Sequence, residues 1–364
     1  MSAQAQQFLN TLRVSASKSN PSRTALQLTL QQLQKLADDF DLGRIIQMDE
    51  PIDTQCNTTE PFRTGQGTFL LRARHGEEYV ERLEFLHSVI DSLVAAKFPC
   101  PPVIRSRKGK SWTVWGERLV EVHVFVPHDH GVHRDWGRMN AAASALGDLH
   151  TTLTRCMRGC AVVPPEMRND ISPRQCLHLL NDLMLDVTQQ RHTNPDAEAA
   201  MEICQQIEGC LTYMIEDYER IIGGVPWMIV HGDYHFWNIL YTADQIAGIV
   251  DYDFLQERER MFDVAYAMQS VISYLKLTRP AKGCGFDSLA WKNAQLWVDL
   301  YDAATHIPLT ELERRRMPME ILRIYLVSLL TLASQGDTCP TLVAQGEDLA
   351  LYRWISEQRD LFLN

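Results

Sequence analysis

Residues 231–253, HGDYHFWNILYTADQIAGIVDYD, limit the fold more than any other part of the chain. The apolar run 227–230 precedes them and reads as a strand. Asp233 and Asn238 then fall on a loop. Residues 239–241 and 246–250 read as two strands joined by a turn at 242–245, and the second strand delivers Asp251 and Asp253. Alone, Asp and Asn are ordinary turn formers. Gathered by one loop and one hairpin, three oxygen-bearing side chains match what a magnesium-dependent phosphoryl transfer needs. In that chemistry Asp233 is the catalytic base, or the group that orients an attacking hydroxyl. Asn238 offers its amide oxygen to Mg²⁺, and Asp251 bridges the metal to nucleotide phosphates.

The flanking text predicts two different halves. A polar lead-in, 1–23, is followed by a helical pattern over 24–40 that stops near Gly43. Strands are expected at 44–48, 60–63 and 68–74, then a helix over 77–97 ended by Pro99, Pro101 and Pro102. Three more strands follow, at 103–105, 111–115 and 118–126. Strands around one helix suit an antiparallel sheet with that helix packed on it. Residues 127–131 break the pattern and read as a linker. Beyond it the chain is mostly helical, over 138–153, 175–185, 194–222, 262–275, 288–305, 309–332 and 344–361. The expected fold class is therefore α+β. Its divisions are 1–41 as an extension and helix, 42–127 as a nucleotide-binding lobe, and 128–364 as a helical catalytic lobe.

A net charge of -11 argues against broad nucleic-acid binding, which shows a basic face. Nine cysteines, an odd number at scattered positions, read as reduced thiols rather than a disulfide framework. The N-terminus lacks a basic start followed by an apolar core, and no uninterrupted apolar run approaches the roughly 20 residues of a membrane span. A cytoplasmic protein without nucleic-acid or membrane partners is expected. The tract His128-Asp129-His130-x2-His133 reads as a solvated loop, since no second ligand cluster accompanies it.

His231-Gly232-Asp233-x4-Asn238, followed by Ile249-Val250-Asp251, resembles the aminoglycoside phosphotransferase and choline kinase-like superfamily, a relative of the eukaryotic protein kinases. Gly232 stands where protein kinases carry Arg, His235 where they usually carry Lys, and Asp251-Tyr252-Asp253 replaces DFG. All three departures look like the small-molecule branch. The resemblance implies a bilobal protein-kinase-like fold, with ATP and Mg²⁺ as cofactors and a small-molecule hydroxyl as acceptor. It implies that Arg72 contacts phosphate and pairs with Glu84 of the following helix, with Glu81 as the rival. Asn57 resembles the Asn of the nucleotide-covering loop. Residues 122–126, Phe125 among them, correspond to the strand whose backbone meets adenine. His235 is counted with Asp233 as catalytic, and Trp237 as a lining residue of the acceptor pocket. His150 is expected to be buried and structural, Asp263 to hold the backbone around His231-Gly232-Asp233, and His231 to pack rather than act as a base.

The resulting expectation is a kinase for an amino alcohol, amino acid, sugar or aminoglycoside. The text of residues 68–99 looks nearest to type II homoserine kinases and spore-coat kinase-like proteins. The alternatives are a nucleotide-binding scaffold without turnover and a protein Ser/Thr kinase. The short run from Asp251 to Asp263 leaves little room for the activation segment that a protein kinase needs.

Overall fold

In the computed structural model, which describes residues 28–49, 52–53, 57–75, 80–116, 118–129, 135–157, 172–221, 225–279 and 285–363, the first element is helix α1 (Leu30–Asp39). A capping box starts it. Thr29 Oγ1 accepts from Gln32 N at 3.3 Å, and Gln32 Oε1 accepts from Thr29 N at 2.8 Å. Its inward residues Leu33, Leu36 and Ala37 are buried against a sheet ordered β1 (Ile45–Met48), β3 (Asn57–Thr64), β4 (Gly67–His75), β6 (Arg118–Val124) and β5 (Thr113–Trp115). The short β2 (Ile52–Asp53) pairs on β3, and every pairing is antiparallel.

Alternation along these strands divides the sheet chemically. Phe62, Phe69, Leu71, Ala73, Val120 and Val122 lie on the α1 face and share one core with it. Arg72, Arg74, Glu121 and His123 occupy the opposite face, which α2 (Val80–Ala95) covers. The expected strand at 103–105 contracts to one bridge between Val103 and His123.

Glu60 alternates with Phe62 on the apolar face and is only 2% exposed. Its Oε1 has no hydrogen-bond partner among the described residues. Burial pushes its carboxyl up to about 7. The folded-state value lies above the ordinary one, so this group's contribution to stability is full below pH 4.5 and is lost as pH rises through about 7. Glu60→Gln should therefore raise Tm at about pH 8 and barely change it near pH 4.5. Thermal melts at the two pH values check this.

The chain leaves the sheet at Phe125, whose N–H donates to Thr68 O at 3.0 Å. It reaches the second lobe at Asp129. Asp129 N donates to Tyr241 O at 2.8 Å, and its Oδ2 accepts from Arg138 Nη2 at 2.7 Å and Ala243 N at 3.0 Å. The helices of this lobe are α3 (Trp136–Cys156), α4 (Pro173–Gln190), α5 (Ala197–Ile221), α6 (Met261–Thr278), α7 (Ser288–Ala304), α8 (Glu311–Gln335), α9 (Thr338–Gly346) and α10 (Leu349–Glu357). The predicted helix over 344–361 breaks between α9 and α10. Gly346 approaches α5 so closely that a Cβ there would stand 2.7 Å from the Ile203 side chain.

Between α5 and α6 run β7 (Trp227–Val230), the hairpin β8 (Ile239–Thr242) and β9 (Gln245–Ile249), and β10 (Gln256–Glu259), which pairs with β7. By length and composition α8 could cross a membrane, but most of it is buried inside this fold. Its start is anchored by Arg260, which donates to Glu313 through Nε at 2.7 Å and Nη2 at 2.8 Å, and also to the Ile307 and Pro308 carbonyls. Glu313 also closes the α8 capping box with Thr310. Glu313→Ala leaves a buried guanidinium without its carboxylate, held only by the two carbonyls, and should cost about 3–5 kcal/mol, read as a lower urea midpoint with an unchanged m-value.

Candidate active site

The site is assembled on a backbone turn that only glycine can make. Gly232 has φ +81°, and a Cβ there would lie 2.1 Å from Phe254 O. The turn is held from below by Asp263, at the start of α6. Asp263 Oδ2 accepts from His231 N at 2.7 Å and from His150 Nε2 at 3.0 Å, and Oδ1 accepts from Gly232 N at 2.9 Å. His150 is fully buried on α3, and its Nδ1 lies 2.9 Å from Tyr301 Oη. His231 Nδ1 accepts from Asp233 N at 3.2 Å, while Nε2 donates to Val250 O at 3.1 Å. Burial pushes the His231 pKa down, which suits a neutral ring that accepts on one side and donates on the other. These three residues hold the frame, as the sequence leads one to expect.

On that frame Asp233 meets Asn238. Asn238 Nδ2 donates to Asp233 O at 2.9 Å and to Oδ2 at 3.0 Å. The Asn238 carbonyl accepts from Val250 N at 2.9 Å, which ties the loop to the strand end that carries Asp251. His235 Nε2 lies 3.4 Å from Asp233 Oδ2. Its Nδ1 accepts from Trp237 N at 3.2 Å, and its ring stacks on Tyr266. Burial alone would raise the Asp233 pKa. The charge and hydrogen bond of His235, helped by Tyr266 and His231, outweigh burial and hold it below the usual Asp range. Asp233 is thus a carboxylate suited to accepting a hydrogen bond from a hydroxyl.

Asp251 sits in the left-handed region, φ 66° and ψ 64°, which costs a non-glycine residue energy and is tolerated best by Asn and Asp. Burial and the neighbouring Asp253 push its carboxyl up to about 6, against the pull of Arg72. Arg72 Nη2 donates to Asp251 Oδ1 at 3.2 Å and to Asp253 Oδ2 at 3.1 Å. Arg74 Nη2 takes the other Asp253 oxygen at 2.7 Å. Burial works to raise the Asp253 pKa, but the two guanidiniums hold it well below the ordinary carboxylate range. Both Asp253 oxygens are therefore committed to arginines. Arg82 of α2 completes the clasp, donating to the Asp253 and Leu255 carbonyls at 2.6 and 2.8 Å.

The partner expected for Arg72 requires correction. Glu84 is exposed and accepts from Trp112 Nε1 at 3.2 Å, and Glu81 is exposed too. The inward positions of α2 are Arg82, Leu83, Leu86 and His87. Glu121, directly opposite Arg72 in the β4–β6 register, takes the role instead. It is fully buried. Its Oε1 accepts from Arg74 Nε at 2.9 Å and lies 3.7 Å from Arg72 Nη1, while Oε2 meets His87 Nε2. A Glu and a His inside the otherwise apolar run of β6 were the sequence signal for this, because buried polar side chains need partners. Asn57 opens β3 opposite Arg74, and its side chain lies outside the described residues. The N–H of Phe125 is spent inside the sheet on Thr68, and its ring packs 5.7 Å from His128. His128 Nδ1 lies 2.8 Å from Val126 O, while His130 and His133 fall outside the described residues.

Residues 57–283 match the phosphotransferase enzyme family. A homoserine kinase of Paramagnetospirillum magneticum is 21% identical over 243 residues, 67% of either chain. The amicoumacin kinase hAmiN, solved with AMP-PNP and Ca²⁺, superposes with a TM-score of 0.61 at 13% identity, covering 87% of this chain and 92% of that one. An aminoglycoside phosphotransferase from Alicyclobacillus acidocaldarius superposes at 0.59 with 15% identity, over 93% and 99%. With over half of its length matched and a protein-kinase-like fold, the chain belongs to the phosphotransferase enzyme family.

Proposed function

We propose that the protein is an ATP-dependent kinase that transfers the γ-phosphoryl group to the hydroxyl of a small amino-bearing molecule, with homoserine-like amino acids first among the acceptors. The observation that carries this reading is the meeting of Asp233, Asn238 and Asp251 beneath Arg72. The acceptor class is supported by the homoserine kinases among its relatives, which are about a fifth identical to it.

The residues fit a divalent cation of the magnesium class. Asn238 turns its Nδ2 towards Asp233, so its Oδ1 faces away from that carboxylate. Asp251 gives one oxygen to Arg72 and has a second to offer. Burial among Asp253 and Asp233 makes the Asp251 charge costly, and a hard cation would relieve it. A cation held by Asn238 and Asp251 would neutralise charge on the nucleotide phosphates.

The remaining work belongs to the chain itself. Arg72 offers phosphate oxygens a guanidinium that Glu121 and Asp253 hold in place. Asp233 accepts the hydrogen bond of the acceptor hydroxyl and fixes its direction of attack. His235, stacked on Tyr266, keeps Asp233 ionised. The test is ADP release from ATP–Mg²⁺ with a panel of homoserine, amino alcohols, sugars and aminoglycosides. Acceptor-dependent turnover with the amino-bearing compounds is expected. No turnover with any acceptor, alongside a melting shift on ATP–Mg²⁺, would leave a nucleotide-binding scaffold instead.

A further inference from the structure

Behind the arginine clasp, and sharing Glu121 with it, lies a second cluster whose two histidines phosphoryl transfer does not use. Glu121 and His123 are two residues apart on β6 and share the sheet face that α2 covers. His87 reaches them from α2. Glu121 is fully buried, His87 is 1% exposed and His123 is 5% exposed. One potential ligand atom from each lies within 4.8 Å of the others. The two histidines gather on a single carboxylate oxygen. His87 Nε2 touches Glu121 Oε2, and His123 Nε2 stands 3.5 Å from it, beyond a good hydrogen bond. Glu121 Oε1 is turned the other way, to Arg74 and Arg72.

This leaves a polar demand that the described residues do not meet. Neither His123 nitrogen, nor His87 Nδ1, has a hydrogen-bond partner among the described residues. Buried polar atoms in native folds are nearly always satisfied, and exceptions point to a water or an ion. Two imidazoles and one carboxylate form the donor set that borderline-soft divalent metals prefer, and that Mg²⁺ does not.

We propose that His87, Glu121 and His123 form a binding site for a transition metal ion of the zinc class, inside the nucleotide lobe and separate from the cation place at Asn238 and Asp251. Zinc bonds of about 2.0–2.2 Å place tetrahedral ligand atoms roughly 3.3 Å apart. To reach that spacing His87 must swing away from Glu121 Oε2, while His123 Nε2, at 3.5 Å, is already close to it. A water takes the fourth position. Arg72 and Arg74 would repel a dication, but Asp251 and Asp253 already neutralise them. Glu121 keeps Oε1 on the arginines while Oε2 binds metal, so the ion acts on the phosphate-facing Arg72 through one shared carboxylate.

The test uses the full chain, stripped with chelator and titrated with Co²⁺ and then Zn²⁺ in excess Mg²⁺. One equivalent of Co²⁺ should give visible d–d bands of a four-coordinate site, which Zn²⁺ then bleaches, and Zn²⁺ should raise Tm. His123→Gln and His87→Gln should each remove the bands and the Tm rise, whereas Asn238→Ala, at the other cation place, should retain both. Circular dichroism confirms that each variant is folded. If one His variant fails to fold, the other decides. Absence of the bands from the wild-type chain, or bands that survive both His substitutions, overturns the proposal.

Discussion

Asp233→Asn should lower kcat by about 10²–10⁴-fold, the range for loss of a positioned general base. Asn keeps the size of the side chain and can still accept from Asn238 Nδ2, so the turn at Gly232 has no reason to move. What disappears is the negative charge proposed to accept the hydrogen bond of the acceptor hydroxyl. KM for ATP should therefore hardly change, because Arg72, Asn238 and Asp251 are left as they were. The His235 pKa, raised against burial mainly by Asp233, should fall in the variant. Steady-state kinetics with an active acceptor, and an NMR titration of His235, read the two effects separately. An unchanged kcat would remove Asp233 from the chemistry.

Gly232→Ala should be as damaging to activity, and should also damage the fold. A left-handed backbone costs an L-residue roughly 1–2 kcal/mol by itself. Here the added methyl also meets Phe254 O at 2.1 Å, a backbone atom that cannot swing aside. Phe254 lies between Asp253 and Leu255, whose carbonyls Arg82 holds. Any relief of the clash therefore shifts Asp253 and, through it, Arg72 and Arg74. A loss of about 3 kcal/mol or more is expected, at the upper end for single substitutions, together with loss of phosphoryl transfer. Denaturant unfolding and the acceptor assay check both. The same contact explains why the sequence departs from the protein-kinase pattern at this position, since no side chain fits beneath that carbonyl.

The parts of the site that were legible in the sequence are close together in the chain. Asp233 and Asn238 lie on one loop, Asp251 ends the adjoining hairpin, and Asp263 follows within one turn of α6. Local strand and turn signals suffice to gather them. The arginine clasp was not legible, because it joins residues 47, 171 and 179 positions apart. Its partners depend on the β4–β6 register and on the rotation of α2 about its axis. A turn of that helix decides between Glu81 or Glu84 and Arg82 or His87, and the apolar stripe of Leu83, Leu86, Ile90 and Leu93 does not say which polar neighbours reach the strand. β10 escaped notice for a different reason. Its residues, QERE, carry no apolar pattern, and only pairing with β7 makes them a strand.

The two anchors of the interlobe linker have a mechanical consequence. Phe125 is bonded to the sheet through Thr68, and Asp129 is bonded to the second lobe through Tyr241, Ala243 and Arg138. Between those anchors the linker is only Val126, Pro127 and His128, and Pro127 O itself accepts from Thr242 Oγ1 of the second lobe at 3.2 Å. Of these, Pro127 has its φ fixed by its ring, and His128 is bonded back to Val126 O. The linker therefore has few free torsions with which to let the lobes part. Any parting of the lobes would also have to break the Arg72, Arg74 and Arg82 bonds to Asp251 and Asp253, so linker and clasp hold the same geometry from two sides.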